Sequence, residues 1–194
     1  MRSLKHNFRR AALLGLSPFD PALEDSLLGI RPTGALLADF PFNIGLGRVV
    51  QWYINVQTNS PANAALVLAI IETATADATL RDLDTLEDVL ADAGTAEVTN
   101  TNYARKVLTD SDLSVFAPDD ANDRADLDIP DQSFTGIGAG DDWSDAVIGY
   151  DEDSTAGDDG DILMASQHDL GITPDGSDID LVPAATGFYR SAAA

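Results

Sequence analysis

The chain has 194 residues, is 44% hydrophobic and carries a formal net charge of −22 at pH 7. A chain of this length and hydrophobicity can bury one good core, which excludes wholesale disorder. It contains no cysteine, which excludes disulfides and thiolate metal sites, and no apolar run of about 18 residues, so no transmembrane helix is predicted.

The acidic side chains are mostly short. Thirty-three acidic residues, 28 of them Asp, face nine Arg and two Lys. Such a charge makes the folded chain repel itself, and the repulsion becomes tolerable where salt shortens the Debye length to about 3 Å at 1 M. We therefore expect a halophilic origin. An acidic protein from ordinary salt is the alternative, but it would usually carry more Glu and Lys.

The charge is unevenly distributed along the chain. Residues 1–50 carry six basic and four acidic side chains, whereas residues 51–194 carry five basic and 29 acidic ones. This asymmetry favours a docking arm over residues 1–47, a β-sandwich domain over residues 48–190 and a tail over residues 191–194. The basic start superficially resembles a signal peptide, but its apolar run is short and lacks a cleavage site, so we expect it in the mature protein.

Within the arm, residues 20–29 predict a short helix, with Asp20 as its cap and Gly29 at its end. Residues 31–47 are rich in Pro and Gly, which indicates extended chain lying against another surface. Because basic side chains are screened in brine, we expect apolar contacts to dominate docking. The predicted partner-binding residues are Phe8, Arg9, Arg10, Leu13, Phe19, Phe40, Phe42 and Ile44.

The body begins with a predicted core hairpin. Residues 48–57 have the aromatic and β-branched content of a strand, and residues 64–73 return as a second strand after a turn. Residues 84–92 predict a short helix or turn, because Thr85 and Asp88 have the spacing of a capping box.

A series of short strands follows. Residues 124–129 alternate charged and apolar side chains, so Ala125, Leu127 and Ile129 should point inward. Residues 146–150 are more apolar and should form a central strand. Recurrence about every ten residues favours an all-β fold, an antiparallel, jelly-roll-like β-sandwich. The predicted strands are 103–108, 113–116, 124–129, 132–137, 146–150, 162–165, 178–182 and 186–190.

The acidic loop 151–161 is the candidate metal site. An EF-hand loop needs Gly at position 6 and an acidic ligand at position 12. Counted from the first Asp of the loop, these positions are Ala156 and Ile162, so the motif fails and a solvated acidic loop is favoured. A loosely bound cation is the alternative, and no other cofactor is predicted. Its candidate ligands are Asp153, Asp158, Asp159 and Asp161.

Catalytic motifs are weak. Ser166, His168 and Asp169 are neighbours along one predicted strand and should not converge on a reacting atom, so we predict a structural histidine at a strand end. The glycine-rich residues 136–140 lack the Lys-Ser/Thr ending of a phosphate loop and predict a flexible loop. We expect no enzymatic activity. The acidic body repels phosphate, so we expect no nucleic-acid partner.

Several segments occur in a characteristic order. They are Leu66-Val-Leu-Ala-Ile-Ile71, the acidic segment 84–92, Tyr103-Ala-Arg-Lys-Val-Leu108, the turn and Asp-x-Asp strand at 119–128, Phe134, Val147-Ile-Gly-Tyr-Asp151 and Gly187-Phe-Tyr189. This order resembles a family of small structural proteins encoded by tailed viruses of bacteria and archaea. The resemblance leaves out the first 50 residues and implies a virion structural protein on the head or tail, without catalytic residues.

The sequence therefore predicts a virion component of a tailed virus with a halophilic, archaeal host. We expect a capsid decoration or turret-type protein, a homo-oligomer anchored by its arm to the major capsid protein or another virion protein. A tail or head–tail connector protein is the alternative within this class. From other classes, a cell-surface carbohydrate-binding module comes second, with Trp52, Tyr53 and Trp143 as candidate sugar-binding aromatics, and a hydrolase third.

Overall fold

The structure is a computed structural model that describes residues 35–36, 40–73, 76–184 and 186–192. These residues belong to the unit that spans residues 34–194. They form eleven short or long strands and only a few helical turns, and most strand pairs are antiparallel. The predicted all-β, sandwich-like class is confirmed. None of the described helices is long and apolar enough to cross a membrane.

A central sheet dominates the fold. Its strands are β2 (Phe40–Pro41), β3 (Ala65–Thr73), β4 (Ala96–Glu97), β5 (Lys106–Leu108), β8 (Trp143–Asp151) and β9 (Leu163–Ile172). They follow the order β2-β9-β8-β3-β4, and β5 also pairs with β3. Because β8 pairs with β3 on one side and β9 on the other, the prediction of a central strand at residues 146–150 is confirmed.

Both faces of the central sheet are buried, as the side chains of β3 illustrate. Its residues enter two apolar clusters in strict alternation. Leu66, Leu68 and Ile70 pack into the first cluster, and Val67, Ala69 and Ile71 pack into the second cluster on the opposite face. A strand covered on both faces needs apolar side chains at every position, which explains the unbroken apolar run.

The first predicted strand is instead an α-helix, α1 (Val49–Gln57). The predicted hairpin is therefore wrong in its first half and right in its second, where β3 lies. Val49, Trp52, Tyr53 and Val56 are buried, and this spacing forms the apolar stripe of a helix. Residue propensities favoured a strand, but they amount to tenths of a kcal/mol and are outweighed by burial of this stripe.

Helices also cover the second face of the sheet. They are α2 (Asp77–Leu80) and α3 (Leu86–Ala91), and they bury leucine and valine side chains in the second cluster. The predicted capping box is confirmed. Thr85 Oγ1 accepts a hydrogen bond from Asp88 N over 3.1 Å, and Asp88 Oδ2 accepts one from Thr85 N over 3.2 Å.

Two smaller sheets complete the described fold. Their strands are β1 (Ala35–Leu36), β6 (Arg124–Leu127), β7 (Gln132–Phe134), β10 (Ile179–Pro183) and β11 (Tyr189–Ala192). The first sheet has the order β1-β10-β7, and the second pairs β6 with β11. Leu127 and Ile129 are buried as predicted, whereas Ala125 is half-buried. The predicted tail at residues 191–194 is partly wrong, because β11 extends to Ala192. The predicted strand at residues 113–116 is also wrong, because these residues form no strand.

Candidate functional site

Three predicted partner-binding residues lie inside the body of the chain. Phe40 is 5% exposed, Phe42 is fully buried, and Ile44 packs against both apolar clusters. Phe42 N donates to Ala165 O over 3.1 Å, which joins this segment to β9. The prediction that these residues dock on a partner is therefore corrected. Phe40 and Phe42 cover the second face of the chain's own sheet, and the body begins by residue 35 rather than residue 48.

The remaining arm predictions lie outside the described residues. They concern the helix at residues 20–29 and the predicted partner-binding residues Phe8, Arg9, Arg10, Leu13 and Phe19.

The candidate cation ligands of the acidic loop are engaged in separate hydrogen bonds. Asp153 Oδ1 accepts from Asn63 Nδ2 over 3.1 Å, and Asp161 Oδ2 accepts from Asp158 N over 3.2 Å. In the described part of the chain, no three His, Cys, Asp or Glu side chains come together in a way that could hold a metal ion. The loop is therefore held by hydrogen bonds within itself and to Asn63.

Asp159 belongs to a cluster that the sequence did not predict, here called the Arg105 cluster (Glu97, Arg105 and Asp159). Arg105 donates to Glu97 through Nε over 2.8 Å and Nη2 over 2.6 Å, and to Asp159 through Nη1 and Nη2. Hydrogen bonding to Glu97 and Asp159 raises the pKa of Arg105, and the bonds from Arg105 lower the pKa of Asp159. The guanidinium thus joins the acidic loop to β4.

Tyr103 extends the Arg105 cluster into the core. Its hydroxyl donates to Glu97 Oε1 over 2.9 Å and accepts from Ile70 N over 2.9 Å. Burial raises the pKa of Tyr103, so the phenol stays protonated and keeps both bonds. The cluster therefore connects the surface loop to the central strand β3.

A groove of about 290 Å³ lies beside the Arg105 cluster. Val67, Val107 and Ile162 line its apolar side, and the acidic loop lines the other. Gly149 permits this packing, because a Cβ there would lie 2.5 Å from Ile162 Cγ2. A second groove, of about 520 Å³, lies between β6, β11 and the turn before β6. Arg124 in that groove pairs with Asp119 over 3.1 Å, so its charge is already balanced.

The candidate catalytic residues Ser166, His168 and Asp169 lie on two faces of β9. Ser166 Oγ and His168 Nε2 are 2.8 Å apart, and both side chains are buried. Asp169 lies on the opposite face, where it is the cross-strand partner of Asp145. The alternation of a strand therefore separates Asp169 from the other two residues, as predicted. The expected strand-end position of His168 is wrong, because β9 continues to Ile172.

Asp145 and Asp169 form a second carboxylate cluster, here called the Asp145–Asp169 pair. Gln167 Nε2 donates to Asp145, and also to Asp169 Oδ1 over 3.0 Å, while Ser144 Oγ donates to Asp145. Burial, reinforced by the neighbouring Asp169 carboxylate, raises the pKa of Asp145 to about 6, against the opposing effect of the Ser144 and Gln167 hydrogen bonds. Sequence reasoning missed this pair, since the register that brings the two residues together is a property of the fold.

The aromatic residues considered for sugar binding are buried. Trp52 is 6% exposed, Tyr53 2% and Trp143 0%. Trp52 stacks on Tyr150 with ring centres 5.5 Å apart, and Trp143 Nε1 donates to Asn100 Oδ1 over 3.0 Å. These side chains build the core and offer no exposed stacking surface, which removes the basis for the carbohydrate-binding alternative.

The glycine-rich residues 136–140 are held by hydrogen bonds, which corrects the predicted flexible loop. Gly136 N donates to Asp178 Oδ1 over 2.7 Å, and Ile137 N donates to Ser177 O over 3.1 Å. Gly138 O accepts from Asn100 Nδ2 over 3.0 Å. Gly138 N donates to Thr101 O over 3.1 Å, so the N–H groups of Gly136, Ile137 and Gly138 are already used within the chain and are not available to a phosphate.

Comparisons with known proteins identify no relative. The chain matches no protein-family model, no curated protein and no solved structure. The functional proposal therefore depends on the residues and contacts described above.

Proposed function

We propose that this protein is a structural component of a tailed virus that infects a halophilic, archaeal host. The ordered segments between residues 66 and 189, which resemble small virion proteins, carry this proposal. Those segments include β3, α3, β5, β6, β7, β8 and part of β11. The quoted segments therefore fall mostly on strands and helices of a β-rich body.

The charge of the body supports a role in concentrated salt. In the described part of the chain, four carboxylates form ion pairs with arginine, those of Glu97, Asp119, Asp126 and Asp159. Residues 51–194 contain 29 acidic side chains, so most of them require screening by ions of the solvent. Such a surface suits the outside of a particle suspended in brine.

The proposed activity is binding. We place the protein on the capsid exterior as a homo-oligomeric decoration or turret-type protein, attached to the major capsid protein or another virion protein. Residues 1–33 are the proposed attachment segment, with Phe8, Leu13 and Phe19 as its apolar contacts and Arg9 and Arg10 as screened, weaker ones. The body from residue 34 onward then faces the solvent.

Immunogold labelling of particles of the encoding virus tests this proposal. We expect label on the capsid surface at many copies per particle. Label confined to the tail or to the head–tail junction would favour the connector alternative, and particles without label would overturn the virion role.

Substitutions in the attachment segment test how the protein is held. Phe8→Asp with Leu13→Asp should reduce incorporation into particles more than Arg9→Ala with Arg10→Ala, because apolar contacts persist in brine whereas charge contacts are screened. Incorporation is measured by quantitative blotting of purified particles. The opposite order would assign the attachment to charge.

A further inference from the structure

The Asp145–Asp169 pair brings two carboxylates together, and no described residue supplies a compensating positive charge. Asp145 on β8 lies directly opposite Asp169 on β9, and like charges in this position destabilise a sheet. Asp145 is 3% exposed, whereas Asp169 is exposed to solvent. The amide of Gln167 bridges them and is itself fully buried.

The elements packed against the pair supply no ion-pair partner among the described residues. From β3, Ile71 lies opposite Asp145, and Glu72 follows it along the strand. From β2, Phe40 lies opposite Gln167, and the guanidinium of Arg81 lies over the Phe40 ring rather than on either carboxylate. Ser144 and Gln167, which do bond to Asp145, are neutral donors. Solvent ions can screen the exposed Asp169, but the buried Asp145 is out of their reach, so a proton is the direct means of neutralising it.

We propose that Asp145 and Asp169 form a pH-sensitive contact, in which one shared proton stabilises the pairing of the start of β8 with the end of β9. Asp145 carries the proton, because it is buried, and donates it to the hydrated Asp169 carboxylate. When the pH rises, the proton leaves to solvent and two ionised carboxylates face each other across the two strands. The raised pKa of Asp145, about 6, supports this direction of change.

The position of the pair makes the effect local. The regular pairing of β8 with β9 is interrupted between Trp143 and Asp145. Beyond this interruption, only Trp143 and Ile172 are paired. Repulsion at Asp145 should therefore loosen residues 169–172 before the rest of β9, which remains paired along residues 163–168. The contact is a conformational device that is independent of the proposed virion role.

Hydrogen–deuterium exchange of the full-length protein tests the proposal. Exchange of residues 169–172 is measured at pH 5 and pH 7.5 in 2 M KCl and corrected for the intrinsic pH dependence of amide exchange. We expect protection of this segment to fall about tenfold at the higher pH, as a pKa raised from 3.8 to about 6 would produce between these two pH values. A wild-type protein with equal protection at both pH values would overturn the proposal.

Variants separate the pair from other titrating groups. Asp145→Asn carries no ionisable group at this position and should show equal protection at both pH values, whereas the exposed-site control Asp110→Asn should behave as the wild type does. If Asp145→Asn retains the pH dependence, another titrating group is its source and the proposal fails. Asp169→Asn, which removes only the opposing charge, should weaken the dependence and provides the decisive variant if Asp145→Asn does not fold.

Discussion

The Arg105 cluster and the Asp145–Asp169 pair hold carboxylates against the same central sheet in different ways. In the Arg105 cluster, one guanidinium makes two bonds to each of two carboxylates and balances their charge. In the Asp145–Asp169 pair, the described donors are an amide and a hydroxyl, which satisfy oxygen atoms but carry no positive charge. The first arrangement stabilises ionised carboxylates and the second favours a protonated one.

This difference shows how a folded chain with few basic residues can accommodate many acidic side chains. With eleven basic residues for 33 acidic ones, most carboxylates cannot have an ionic partner. One arginine therefore serves two carboxylates where a loop must be fixed. Elsewhere the negative charge is screened by solvent ions or, in the proposal for Asp145, neutralised by a proton.

The largest expected effect is that of salt on the unpaired carboxylates. Lowering KCl from about 4 M to 0.1 M should reduce the melting temperature by roughly 10 °C or more, because the Debye length grows and excess charges repel each other. Calorimetry measures the shift. Equal melting temperatures across this range would contradict both the halophilic interpretation and the view that unpaired carboxylates limit stability.

The next largest effect is expected at Arg105. Arg105→Met leaves Glu97 and Asp159 close together without their counter-charge and should cost about 2–3 kcal/mol of unfolding free energy. Arg105→Lys keeps the charge but loses the forked geometry, so its loss should lie between the wild type and Arg105→Met. Chemical denaturation in urea at constant high salt measures all three proteins.

Arg190 provides the matched control. It makes a comparable forked pair with Asp126, but on an exposed two-stranded ribbon. Exposed pairs contribute little because water and salt screen them, so Arg190→Met should lose clearly less stability than Arg105→Met. Equal losses would mean that joining the acidic loop to the central sheet has no special importance.

The sequence predicted the features that depend on local pattern. The capping box at Thr85 was predictable, because it requires two residue types three positions apart. The strand at residues 146–150 was predictable from its apolar content. Helix α1 could have been found from the helical spacing of Val49, Trp52, Tyr53 and Val56, but aromatic and β-branched content favoured the strand interpretation.

The carboxylate clusters were not predictable, because they depend on register and on long-range pairing. Arg105 and Asp159 are 54 positions apart, and Gln167 and Asp145 are 22 apart. With acidic residues so frequent, no spacing in the sequence marks these particular ones. Phe40 and Phe42 were predicted to dock on a partner for a similar reason. Only the folded sheet shows that these two side chains pack against its second face.

The smallest expected effect is a difference in how the stability contributed by the two carboxylate clusters depends on pH. Bonds from Arg105 lower the pKa of Asp159 below its ordinary value of 3.8, so the stability they contribute is present above pH 3.8 and is lost as the pH falls further. Asp145 has the opposite sign, since its pKa is raised to about 6 and its contribution declines as the pH rises from about 4 to 6. The two windows therefore do not overlap.

Asp159→Asn should thus flatten the acid side of the stability profile and leave the region above pH 5 unchanged in shape. The difference should stay below about 1 kcal/mol, because Asp159 is partly exposed and solvent weakens the pair. Melting temperatures between pH 3 and pH 7 in high salt measure it, with Asp158→Asn as the neighbouring control in the same loop. If Asp159→Asn alters the profile near pH 6 instead, the two clusters are coupled, and their treatment as separate electrostatic units is wrong.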